Sequence, residues 1–167
     1  MFFRIQKWIL IFSLFVFVLI PSTFIYAQDS PQLDLPKTTI NPGSFYYSFK
    51  RLWEKGVEKL QFSKKSKINF YQSQLKVKLA ELNFVVENKL LSEVQTSSER
   101  FAYQAGILTE ELLKQNKAED KEKFIKEFEQ MQNFLDKLRD KYPANSSFWM
   151  LVQHDINTLK ILVEKLR

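Results

Sequence analysis

Apolar side chains recur every three or four residues through most of residues 44–167, and this spacing is the strongest constraint on the fold. It places apolar residues on one face of an α-helix, whereas a half-buried strand would alternate at every second residue. The chain also holds only 3 Gly and 5 Pro residues, so it has few of the residues on which the tight turns of sheet proteins depend. We therefore expect an all-α domain.

The first helix is predicted to begin after Ser44, a typical N-cap residue that follows Pro42-Gly43. Its apolar stripe, with the residues that widen it, consists of Phe45, Tyr46, Phe49, Leu52, Trp53, Gly56, Val57 and Leu60. Glu54 and Glu58 lie opposite, with Tyr47 as the one aromatic residue on the polar side, so we expect the stripe to face the core. A helix lying on a membrane has the same pattern, although these acidic residues would weaken its attraction to anionic lipid.

The second helix is predicted from Ser63 or Ser66 to about Lys89, and it is apolar on two sides. One stripe is Ile68, Tyr71, Leu75, Leu79, Leu82 and Val86, and the other is Phe70, Val77, Phe84 and Leu91. A helix with two apolar faces is covered on both. Either this helix is central in the domain, or the face formed by Phe70, Val77 and Phe84 meets another molecule.

Three more helices follow. The third opens with a capping-box pattern at Ser92–Gln95 and ends near Asn116, the fourth covers roughly 119–141, and Asn145 or Ser146 caps the fifth. Their stripes are Val94, Ser98, Phe101, Ala105, Leu108 and Leu112; Phe124, Phe128, Met131, Leu135 and Leu138; and Phe148, Val152, Ile156, Leu159, Leu162 and Leu166. The connections are short, which favours antiparallel neighbours. We predict an up-and-down antiparallel bundle of four long helices plus a shorter first helix, with the third and fourth helices separate or partly continuous.

The N-terminus has the anatomy of a targeting segment. Arg4 and Lys7 precede a long apolar stretch, and Ala27 is a small residue at which cleavage before Gln28 can occur. Residues 1–27 are therefore predicted to be a secretory signal peptide or, if uncleaved, a membrane anchor. Either alternative places the domain outside the cytoplasm. Residues 28–43 hold three of the five prolines and are predicted to be a linker to the helical domain at 44–167.

The sequence offers no catalytic or metal-binding pattern. It has no Cys, hence no disulfide and no thiolate ligand, and its one His, His154, is expected to be exposed. Leu151 stands where a di-iron helix bundle would need Glu. We expect no catalytic residue, no metal, no cofactor and no small-molecule substrate, and therefore not an enzyme.

Basic residues are concentrated in the first part of the domain. Residues 31–80 carry ten basic and three acidic side chains. The candidate residues for binding an anionic polymer are Lys50, Arg51, Lys55, Lys59, Lys64, Lys65 and Lys67. Such a cluster suits lipid headgroups, wall polymer or extracellular nucleic acid, and an ordinary solvated lysine surface has the same composition.

The first two predicted helices combine a Pro-x-Ser start, an aromatic run into Lys-Arg-Leu-x-Glu-Lys, a Phe before a Lys-rich helix start and a Leu-Ala-Glu segment. These motifs are formed by Pro42, Ser44, Tyr46, Tyr47, Lys50, Arg51, Leu52, Glu54, Lys55, Phe62, Lys65 and residues 78–82. With them, residues 40–115 resemble the bacterial domain of unknown function 5667. The resemblance implies an exported helical bacterial protein with an N-terminal signal or anchor, and it implies no known activity.

These observations together predict an exported, non-catalytic binding or structural module at the bacterial cell envelope. Its partner would be an unknown protein or a second copy, docking on Phe70, Val77 and Phe84. The alternative is a module whose basic face binds an anionic polymer or membrane surface.

Overall fold

A computed structural model of the chain describes residues 33–115 and 117–167, which form five α-helices and contain no strand. The helices are α1 Tyr47–Lys59, α2 Lys64–Glu87, α3 Leu91–Gln115, α4 Ala118–Arg139 and α5 Ser147–Leu166. The all-α prediction is confirmed. The predicted signal or anchor at 1–27, and the first residues of the predicted linker, lie outside the described part of the chain.

Of the alternatives predicted for the starts of the second and fifth helices, Ser63 and Ser146 are the ones found, and each is an N-cap. The Ser63 side chain accepts a hydrogen bond from the Ser66 backbone N–H at 3.0 Å, and Ser146 accepts one from that of Trp149 at 3.2 Å. Each bond satisfies a backbone donor that the first helical turn leaves without a partner. These two serines therefore define where α2 and α5 begin.

Two other predicted helix starts are wrong. Ser44 lies in a turn before α1, where its carbonyl accepts a hydrogen bond from the Tyr47 backbone N–H at 3.0 Å, and the helix begins without a side-chain cap. α3 begins at Leu91, so Ser92 lies in the first helical turn. Between α3 and α4 the backbone is extended at Lys117, so these two helices are separate.

The core is built from the predicted stripes of the four long helices. α2 packs against α3, α3 against α5, and α5 against α4. Every predicted stripe residue of α3 and α4 is buried, as are most of those of α2 and α5. Among the largest fully buried side chains are Phe101, Phe124, Phe128, Leu108 and Met131. The predicted core positions of the long helices are therefore confirmed.

The segment before α1 is not helical. Leu33 and Leu35 pack against the core, and Pro42 is buried, so this part of the predicted linker lies along the domain. Gly43 has a φ of 85°, a left-handed conformation that glycine adopts without steric cost. Among the described residues, no helix combines the length and apolar character needed to cross a bilayer.

Candidate interaction surface

The apolar stripe of α1 faces solvent. We call the exposed side chains on and beside this helix the α1 apolar face: Phe45, Tyr46, Phe49, Leu52, Trp53, Leu60 and Phe62. Phe45 is 82% exposed, Trp53 75% and Phe62 87%, whereas Tyr47 is only 6% exposed. The prediction that the stripe packs inward is therefore wrong, whereas Tyr47 does lie on the polar side, and it is that side which packs inward. Tyr47 is the one residue of α1 that is buried.

The polar side of α1 packs against α2 through charged side chains, and this explains the reversed orientation. We call Lys50, Glu54, Lys78 and Glu81 the α1 ion network. Lys50 Nζ lies 2.5 Å from Glu81 Oε1, and Lys78 Nζ lies 2.8 Å from Glu54 Oε2 and 3.3 Å from Glu81 Oε2. Both Lys78 and Glu81 are buried, and a buried charge without a partner is costly. Lys78 and Glu81 pair with each other, and α1 gives each of them a second, closer partner of opposite charge.

Tyr47 completes this contact. Its hydroxyl donates a hydrogen bond to Glu81 Oε2 at 2.5 Å. The Arg100 guanidinium of α3 lies 5.0 Å from the centre of the Tyr47 ring, within the range of a cation–π interaction. Burial raises the pKa of Tyr47 well above its usual value, and the hydrogen bond to Glu81 raises it further. The hydroxyl therefore keeps its proton and acts as a donor to the carboxylate.

The second acidic residue of α1 also turns toward the domain. Glu58 Oε1 accepts a hydrogen bond from the Tyr71 hydroxyl of α2 at 3.0 Å. Burial and this bond raise the pKa of Tyr71 to about 12. Since Glu54 is held by Lys78, neither carboxylate of α1 lies on the apolar side.

Most of the candidate polyanion-binding residues are exposed, but one is not free. Lys50 belongs to the α1 ion network and also donates to the Ile40 carbonyl at 3.1 Å. Lys67 is half-buried. The others form what we call the basic edge: Arg51, Lys55, Lys59, Lys64 and Lys65, all exposed and none in an ion pair with a described residue. On α1 this edge runs between the buried polar side and the α1 apolar face, because successive helical residues are rotated by about 100°.

The second apolar stripe of α2 is partly covered. Phe70, Val77 and Phe84 are each half-buried. Phe70 lines a cleft between α1, α2 and α3, together with Arg51 and Tyr103. Docking of a partner or a second copy on this stripe stays a prediction.

A buried carboxylate lies in the α3–α5 region, at a position that the sequence patterns did not single out. Asp155 is fully buried, and neither of its oxygens accepts a hydrogen bond from a described residue. Burial raises its pKa to about 8, and the nearby Ser98 hydroxyl opposes this increase. The Ser98 hydroxyl itself donates to the Leu151 carbonyl at 3.5 Å, a long distance for a hydrogen bond. One signal in the sequence could have found it: Asp155 lies three residues after Val152 and four before Leu159, which puts it on the core side of α5.

His154 is exposed, as predicted. Within residues 33–115 and 117–167, no three acidic or histidine side chains are grouped closely enough to hold a metal ion. The features that distinguish this domain are therefore the α1 apolar face, its basic edge and the ion network beneath them.

Comparison of the chain with protein-family models finds no match, and comparisons with curated proteins and with solved structures find none either. The resemblance to the domain of unknown function 5667 therefore stays a prediction.

Proposed function

We propose that the chain is an exported, non-catalytic helical module of the bacterial cell envelope that binds another surface through α1. The observation that carries the proposal is the orientation of α1, whose polar side packs on the domain while the α1 apolar face is open to solvent. Large contiguous apolar surfaces on a folded domain mark interaction sites, because leaving them in water is unfavourable. The four long helices already bury their own stripes, so α1 is the element available for binding.

The scaffold in this proposal is an up-and-down antiparallel bundle of α2 to α5. In support, the Gln115 side chain at the end of α3 donates to the Lys64 carbonyl at the start of α2 at 2.9 Å. Likewise Arg139, in the last turn of α4, donates to Gln153 in the first half of α5 at 2.6 Å. Contacts that join the end of one helix to the beginning of its neighbour are expected when the two run in opposite directions.

Location at the envelope is supported by the sequence before the domain. Arg4 and Lys7 are followed by a largely apolar segment that ends near Ala27. This is the pattern of an export signal, which is either cleaved or kept as an anchor. The resemblance of residues 40–115 to an exported bacterial family points to the same compartment.

A second candidate function is the binding of an anionic polymer on the basic edge. The absence of ion pairs at its five side chains within the described part of the chain favours this candidate. Such binding would weaken steeply with added salt, because each contact releases counterions. Polymer binding would not require the α1 apolar face, and this requirement distinguishes the two candidate functions.

The location is tested by producing the full chain in a bacterial host and adding proteinase K to intact spheroplasts. We expect the helical domain to be degraded or already released to the medium, while a cytoplasmic control protein stays intact. A domain that is protected until the spheroplasts are lysed lies in the cytoplasm, and the proposed function then fails.

A further inference from the structure

We infer that the α1 apolar face binds the surface of an anionic phospholipid bilayer, with α1 lying in the membrane–water interface. This inference deepens the proposed function, on which it rests, by naming the surface that α1 meets. It uses three observations: the side chains on the exposed face, the position of the charges around it, and the short stretch of chain between the N-terminal apolar segment and the domain.

The chemistry of the α1 apolar face suits the boundary between headgroups and acyl chains. Its members are Phe, Tyr, Trp and Leu, the side chains that interfacial helices place in this region. Phe45 and Phe62 extend the face beyond both ends of the helix, and Trp53 stands near its middle. The face therefore runs the whole length of α1 and can enter a planar surface along that length.

The charges are arranged as such a helix requires. An interfacial helix carries basic residues beside its apolar face, where they reach lipid phosphates. Arg51, Lys55 and Lys59 occupy this position on α1, and Lys64 and Lys65 directly follow the exposed Phe62. The acidic residues that would oppose lipid binding are turned away, because Glu54 pairs with Lys78 and Glu58 accepts from Tyr71. Glu54 and Glu58 therefore do not face the lipid, where they would weaken the attraction of α1 to anionic headgroups.

The other occupants fit less well. A second copy that covered the face with its α1 antiparallel would bring its own basic edge against that of the first, and like charges in contact are unfavourable. An anionic polymer such as DNA would neutralise the basic edge, but it would gain little from burying Leu52 and Leu60. An anionic bilayer satisfies both the charges and the apolar side chains.

The chain itself keeps the domain close to a membrane when the N-terminal segment is retained as an anchor. Only residues 28–32 separate the predicted anchor, residues 1–27, from Leu33 on the domain. A fully extended chain spans at most about 3.5 Å per residue, so this stretch reaches roughly 20 Å. The domain would then remain within a short distance of the lipid surface.

The test uses the full chain and a single tryptophan as the reporter. Trp8→Phe and Trp149→Phe leave Trp53 as the only tryptophan, whose emission is excited selectively over that of tyrosine, and the protein is reconstituted into vesicles whose acyl chains carry bromine as a quencher. Vesicles of phosphatidylcholine with phosphatidylglycerol are compared with vesicles of phosphatidylcholine alone. The matched control keeps Trp149 instead, through Trp8→Phe and Trp53→Phe, because Trp149 is half-buried on α5.

We expect quenching of Trp53 in the anionic vesicles, weaker quenching in the neutral ones, and none of Trp149. Phe49→Ser with Leu52→Ser should reduce the quenched fraction of Trp53 emission several-fold, since two apolar side chains no longer enter the lipid. Lys55→Glu with Lys59→Glu should reduce it in anionic vesicles only. The charge control is Lys160→Glu with Lys165→Glu, two exposed lysines of α5, which should change nothing. Circular dichroism confirms that each variant keeps its helices.

Unquenched Trp53 in both vesicle types, with the helix content intact, overturns the inference. So does a dimer in which Trp53 is shielded without lipid, and so does a response of Trp53 to DNA but not to vesicles. These results leave the proposed function standing if the spheroplast experiment places the domain outside the cytoplasm. A protected domain in that experiment removes the proposed function whatever the vesicles show.

Discussion

Replacing Asp155 by asparagine should make the domain more stable at neutral and mildly alkaline pH. The wild-type carboxyl group is fully buried, and neither of its oxygens accepts a hydrogen bond from a described residue. Asparagine has nearly the same shape and carries no charge at any pH. Above pH 4 the folded wild type must either take up a proton at this group or bury its charge, and the substitution removes that cost with little change in packing volume.

The magnitude follows from the pKa. Burial raises it from 3.8 to about 8, so the folded protein holds this proton more tightly than the unfolded chain does. The associated stability is complete below about pH 4 and is lost as the pH rises through 8. Between these limits each pH unit corresponds to about 1.4 kcal/mol. From pH 5 to pH 7 the wild type should lose about 3 kcal/mol from this group, and the variant, whose amide does not titrate, should lose none.

The assay is urea unfolding of both proteins at several pH values from 5 to 8, with circular dichroism as the signal. The quantity of interest is the free energy of unfolding of the variant minus that of the wild type, because contributions that both proteins share cancel in this difference. We expect this difference to increase with pH. Asp140→Asn is the control, since Asp140 is exposed at the end of α4. A difference that is the same at pH 5 and pH 8 refutes the reasoning and would mean that the Asp155 carboxylate is solvated in solution.

Two further substitutions test local contacts by urea unfolding. Tyr47→Phe removes the hydroxyl that donates to the buried Glu81 carboxylate and should cost about 1–3 kcal/mol. Tyr46→Phe, on the exposed α1 apolar face, should cost much less, and equal losses would contradict the assigned contact. Ser146→Ala removes the N-cap of α5 and should cost about 1 kcal/mol. Ser147→Ala should have no comparable effect, and the cap is unimportant if the two variants behave alike.

The core of the long helices could be predicted from the sequence because each of α3, α4 and α5 has a single seam. A stripe that keeps the three-four spacing from one end of the helix to the other favours burial of that face. Phe101, Phe128 and Ile156 lie where the three-four spacing places them. The serines at which α2 and α5 begin could also be proposed from the sequence, since an N-cap depends only on residues within one helical turn.

The orientation of α1 could not be predicted in the same way. A helical pattern shows that two faces differ, but it does not show which of them meets the rest of the protein. Here α1 meets Lys78 and Glu81, which are distant in sequence and buried on α2. The polar side of α1 pairs with these two charges while Phe49 and Trp53 face solvent, and this contact becomes visible only when the helices are placed in space.

Asp155 was missed for a related reason. Its spacing from Val152 and Leu159 placed it on the core side of α5, but charged residues are rarely buried without a partner. A pattern search that ranks residues by hydrophobicity passes over such a position. The packing of α5 against α3 and α4 decides how little water reaches it.

The attachment of α1 through ions also determines how easily it moves. Tyr47 is the one residue of α1 that is buried, so detaching this helix exposes far less apolar surface than unfolding the core does. Segments of this kind open locally at a fraction of the global unfolding free energy, and their backbone amides exchange with solvent first. We therefore expect α1 to tilt or detach while α2 to α5 stay folded. Binding of α1 to a surface would then stabilise a helix whose contacts with the rest of the domain are few.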